Sequence, residues 1–125
     1  MVFLATMANQ VWAFDANNGA QLWQRTLGRP IDGTKAIDYS GGPKMPFIND
    51  HWGILSTPVI DLAAGVLYAC AWISEGGNWQ NGQHWLHALH LHDGSPARAP
   101  LSLEGTSYQP GHGLPTQQFR SMEHK

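Results

Sequence analysis

Apolar and polar positions alternate most regularly between Gln10 and Ala16. Val11, Ala13 and Asp15 fall on one face, and Trp12, Phe14 and Ala16 on the other. A period of two is the signature of a strand. Asn17-Asn18-Gly19 follows as a turn, because Asn and Gly tolerate positive φ. Gln21–Leu27 reads as the next strand, and Val2–Thr6 as the preceding one, joined by the tight Met-Ala-Asn connection. Three strands on short turns predict an antiparallel meander. Further along, Ser56–Asp61 reads as a strand with Pro58 near its start. Val66–Trp72 and His84–His92 are two more, and Ala97–Leu103 a weaker fourth. No window keeps a helical period over ten residues. The stretch Gly28–His51 and the tail Glu104–Lys125 show no period and read as loop.

The strand pattern occurs twice. Val11 falls on Leu86, Ala13 on Ala88, Phe14 on Leu89, Ala16 on Leu91 and Gly19 on Gly94, at a constant offset of 75. Upstream, Val2–Thr6 matches Val66–Cys70 at an offset of 64, which places eleven extra residues in the second copy's hairpin loop. An antiparallel sheet with two apolar faces cannot bury both alone, and stacking sheets around an axis solves the problem. The expected fold is all-β, with antiparallel four-stranded blades of an incomplete β-propeller. The small Ala13 and Ala88 suit close approach of neighbouring sheets, and Trp23 can cap the stack.

The segment A-F-D-A-N-N-G-A-Q-L-W resembles the tryptophan-docking repeat of pyrroloquinoline-quinone-type (quinoprotein-like) propellers, A-x-D-x-x-T-G-x-x-x-W. Ala13, Asp15, Gly19 and Trp23 match, while Asn18 stands for Thr. The second copy keeps Ala88 and Gly94 but has His90, Asp93 and Arg98 at the Asp, Thr and Trp positions. T-P-V-I-D (Thr57–Asp61) and L-H-A-L-H-L (Leu86–Leu91) also resemble segments of these repeats. The resemblance covers residues 2–27 and 53–103. It implies a docking Trp stacked between blades, with the motif's Asp and Thr tying blades together. The expected layout is a three-stranded partial blade at 1–27, an inter-blade loop at 28–52, a second blade at 53–103, and a linker or start of a further blade at 104–125. Propellers close with four to eight blades, so the expectation is a fragment of a longer chain, or assembly of several copies.

Composition removes several function classes. The 125 residues carry 7 Lys and Arg, scattered, and a net charge of −2. Nucleic-acid affinity needs concentrated positive charge. No apolar run reaches the ~20 residues of a membrane helix, and the start has no basic region for a signal peptide. Cys70 is the single cysteine, in an apolar run, and reads as a small buried hydrophobe. The quinoprotein-like resemblance extends to quinone-dependent dehydrogenases, some of which use adjacent cysteines, and a single cysteine excludes that paired form here. The carboxylates show no acid–base spacing, Ser56 lacks a nucleophile elbow, and the Gly-rich stretches lack a phosphate-binding context. His84, His90 and His92 share one strand face and would form the histidine part of a metal site, with Glu75 or Asp93 as third ligand. The expectation is instead no metal and dispersed structural histidines. Trp79 sits in a long polar loop as a possible binding surface.

The expected function is a non-catalytic scaffold or protein-interaction module. Its partners would be the remaining blades, further copies of the chain or another protein. The alternative implied by the resemblance is a fragment of a quinone-dependent alcohol or sugar dehydrogenase. Pyrroloquinoline quinone and calcium would then belong to the parent, with none expected in this segment. The resemblance also implies a periplasmic or extracellular site.

Overall fold

In the computed structural model, which describes residues 1–35 and 49–121, the chain is all-β and antiparallel. Strands β1 (Val2–Ala5), β2 (Gln10–Phe14) and β3 (Gln21–Thr26) form a three-stranded meander, sheet I. After the short pair β4 (Ile31–Asp32) and β5 (His51–Trp52) come β6 (Val59–Asp61), β7 (Val66–Ile73), β8 (Gln83–His90) and β9 (Pro96–Ser102). These four form sheet II in sequential order. A last two-stranded pair joins β10 (Ser107–Tyr108) to β11 (Gln117–Gln118). No helix among the described residues is long and apolar enough to cross a membrane.

The two sheets pack through one face each. Sheet I presents the cross-strand row Phe3, Ala13 and Trp23, with Val11 and Ala5. Sheet II presents Leu67, Ala69, Ala71 and Leu89 to the same core. Burying these aliphatic and aromatic groups is the main force holding the sheets together. Above this core, Ile31 and Trp72 form a second cluster, flanked by Trp52 and Trp79.

The repeat is visible in the backbone. Asp15 N–H donates to Ala20 O (2.8 Å), Gly19 N–H to Asp15 O (2.9 Å) and Ala20 N–H to Asn18 Oδ1 (2.8 Å). Seventy-five residues on, His90 N–H donates to Ser95 O, Gly94 N–H to His90 O and Ser95 N–H to Asp93 Oδ1, each at 2.8 Å. Gly19 and Gly94 share a left-handed φ, +74° and +68°. Both sheets also carry a register shift at the same place, between Ala13 and Phe14 and between Ala88 and Leu89.

One alignment needs correction. Val2 pairs with Phe14, whereas the counterpart of Phe14, Leu89, pairs with Leu67. The first strands therefore correspond at an offset of 65, not 64, and the longer hairpin holds ten extra residues. A one-residue slip moves every side chain to the opposite face. Phe3 is thus the counterpart of Tyr68, not of Leu67. Neither string carries a charged residue to mark its solvent face, so hydrophobicity could not fix their register.

Two stretches read as loop contain pairing. Ile31 pairs with Trp52 and Asp32 with His51, and Ser107 pairs with Gln118. Two-residue strands are too short to show a period. The middle of the 28–52 loop lies outside the described residues.

Candidate functional site

The most specific chemistry joins the two sheets. Trp23, on β3 opposite Ala13, is 7% exposed, and its indole N–H donates to the Leu91 carbonyl at 2.9 Å. The ring lies against Gly94: a Cβ built there would come within 2.6 Å of Trp23 Cε3. Two residues on, Arg25 Nε donates to Gly94 O at 2.9 Å and Nη2 to Asp93 O at 3.2 Å. The turn of sheet II is therefore a floor of glycine backbone and carbonyl oxygens, held by an indole and a guanidinium. Its Asp93 carboxyl is kept below the usual carboxylate range by the hydroxyl and N–H of Ser95.

Of the other motif residues, Ala13 lies at this contact, while Asp15 and Gly19 shape the turn of sheet I itself. Ala13 is fully buried between Phe3 and Trp23, where a larger side chain would push the sheets apart. The Asp15 carboxylate closes its own turn by accepting from Asn17 N–H at 2.7 Å. Gly19 supplies the left-handed turn, and a Cβ there would meet nothing within 4 Å.

A second tie was not legible in the sequence. Asn9, in the β1–β2 turn with φ +56°, is fully buried and donates from Nδ2 to Trp72 O at 2.9 Å. Trp72 N–H in turn donates to Gly53 O at 3.2 Å, and a Cβ at Gly53 would run into the Asn9 carboxamide. Only the tolerance of Asn for positive φ hinted at this role.

The histidines are not brought together as one ligand set. Strand β8 ends at His90, where Gly94 N–H caps its carbonyl, so His92 lies in the turn rather than on the strand face. His90 and His92 rings are 5.5 Å apart, and His92 Nε2 lies 3.2 Å from Asp93 Oδ2. His84 is at the far end of β8, six residues or about 20 Å away. It stacks on Trp72 at 5.4 Å and meets the edge of Phe119 at 5.6 Å. Among the described residues no group of three or more His, Cys, Asp and Glu is placed to hold a metal ion.

His87 faces sheet I from β8. It is 8% exposed, its Nε2 is buried without a hydrogen-bond partner, and burial pushes its pKa below 6.5. It lines a cavity of about 670 Å³ together with Leu27, Ile73, Ser74, Trp85 and Pro100. Trp79 is half-buried, packed against the Ile31–Trp72 cluster. Cys70 is also half-buried, and desolvation raises its thiol pKa, which makes it a poor nucleophile. No family model, no curated protein and no solved structure matches the chain.

Proposed function

We propose that the chain is a two-sheet portion of a quinoprotein-like β-propeller, acting as a non-catalytic scaffold or protein-interaction module. Residues 1–27 form its partial blade and 53–103 its second blade. The observation that carries this reading is the seating of Trp23 on Leu91 O and Gly94. There the better-matching copy of the docking motif grips the corresponding turn of the next sheet. The recurring turn and register shift support the same reading, because repeat sheets stack through repeated contacts. Phe3, Val11 and Ala13 give the contact its apolar area, while the indole N–H and the Arg25 guanidinium set its register.

The scaffold reading is tested against the dehydrogenase alternative by adding pyrroloquinoline quinone and calcium chloride to the purified chain. Quinone uptake is followed by tryptophan fluorescence and turnover by dye-linked oxidation of ethanol and glucose. The scaffold reading predicts no saturable quenching and no dye reduction. Stoichiometric quinone uptake contradicts it.

A further inference from the structure

We propose that the Ala16–Gly19 turn of sheet I is a second docking platform whose occupant is the Arg98 face of sheet II in another copy of this chain. The proposal rests on the reading that the two sheets are stacking repeats.

The two turns are built alike and used differently. The Leu91–Gly94 turn carries Trp23 on its carbonyl and glycine. Its counterpart offers the Ala16 carbonyl and Gly19 in the same left-handed conformation, with open space where Gly94 meets an indole. Apolar surface surrounds that open turn. Val2, Leu4 and Leu22 are 54%, 52% and 48% exposed, and Trp12 stacks on Phe14 at 6.2 Å. By register, Val2, Leu4 and Phe14 stand where Leu67, Ala69 and Leu89 receive sheet I inside the molecule.

The opposite end of the molecule carries the matching half. Arg98 pairs with Ala88 as Trp23 pairs with Ala13, and it is exposed. Tyr68 and Ala88 share its face as Phe3 and Ala13 share that of Trp23, and exposed Val59 and Leu101 extend the apolar area. A guanidinium is planar, stacks on flat groups and donates in a fork to carbonyl oxygens. Seated as Trp23 is seated, Arg98 would donate to Ala16 O and lie beside Asp15, which occupies the position of His90. Opposite charges then meet where the internal interface has an imidazole. The two faces differ, so the contact is head-to-tail, and it generates a ring if the rotation closes and a filament if it does not.

Sedimentation equilibrium of the chain from ~1 to ~100 μM tests this. Concentration-dependent association is expected. Arg98→Glu should weaken it by about tenfold or more, and so should Leu22→Lys, which sets a like charge beside the incoming arginine. Val2→Lys repeats that block at a second exposed site should Leu22→Lys not fold. Each blocked variant keeps one intact half. A mixture of Arg98→Glu and Leu22→Lys should therefore form a 1:1 heterodimer that goes no further. A chain that stays monomeric at ~100 μM overturns the proposal, as does association that both substitutions leave unchanged. Either result leaves the internal docking of Trp23 standing, since that is read from unfolding rather than from mass.

Discussion

Trp23 rests on Gly94: the indole of one sheet occupies the space that any side chain on the glycine of the other would need, and its N–H is held by Leu91 O at 2.9 Å. The contact separates into an area and a direction. Trp23→Ala should lose both and cost about 3–5 kcal/mol of unfolding free energy. Trp23→Phe keeps most of the area and should lose about 0.5–1.5 kcal/mol for the missing donor. Urea denaturation followed by circular dichroism checks both values. Equal losses in the two variants would mean that the hydrogen bond, not the packing, dominates.

The paired glycines provide an internal control. Gly19→Ala should cost about 1 kcal/mol, because an L-residue is forced to a φ of +74° and nothing else is touched. Gly94→Ala carries the same strain and also collides with Trp23, adding about 1–3 kcal/mol. Indistinguishable denaturation midpoints for the two variants would show that the Gly94 turn carries no indole.

The turns were legible before the structure was, because Asn-Asn-Gly and His-Asp-Gly sit at a fixed distance from matching alternating strands. So were the three-stranded meander and the four-stranded sheet. The pairing of Val2 with Phe14 and of Leu67 with Leu89 was not, since Val-Phe-Leu-Ala and Val-Leu-Tyr-Ala carry no charged residue to mark a face. Nor was the bond from Asn9 to Trp72, which joins residues far apart in sequence through a single side chain. The grouping of His84 with His90 and His92 failed for a geometric reason. Strand rise separates the first from the second, and the turn removes the third from the strand.

Asn9 should separate conformation from bonding. Asn9→Gly keeps the left-handed turn and loses the bond to Trp72 O, at a cost of about 1–3 kcal/mol. Asn9→Ala should cost about 1 kcal/mol more, because alanine resists a φ of +56°. Thermal unfolding of the two variants side by side gives the difference. Equal melting temperatures would remove the backbone from the explanation.

His87 gives the fold a pH dependence with a definite sign. Its imidazole is neutral and desolvated in the folded chain, so its pKa lies below the 6.5 of the unfolded chain. Protons then bind the unfolded chain preferentially. The stability contribution is whole above pH 6.5 and is lost as pH falls from there through the lower folded value. His87→Leu should flatten this slope between neutral and mildly acidic pH. Melting temperatures that fall equally in the variant and the parent chain would assign the acid sensitivity elsewhere.

At the carboxyl-terminal pair, Glu104 accepts from Ser121 N–H at 2.8 Å, and Ser121 Oγ accepts from His84 N–H at 2.9 Å. The backbone N–H of Ser121, and after it the Ser121 hydroxyl, hold the Glu104 carboxyl below its ordinary 4.5. Their contribution is present above that value and fades as pH falls through the lowered one. Glu104→Gln should speed amide exchange at Ser121 and His84 while leaving the core of sheet II protected. Unchanged exchange at both amides would show that the carboxylate does not hold the tail.

The most direct measurement is a double-mutant cycle between Trp23→Ala and Gly94→Ala. If the indole occupies the space above the glycine, removing it relieves the collision, and the second substitution becomes cheaper in the first one's background. The predicted coupling is about 1–3 kcal/mol. Additive losses, to within about 0.5 kcal/mol, would contradict the docking of one sheet on the other through these two residues.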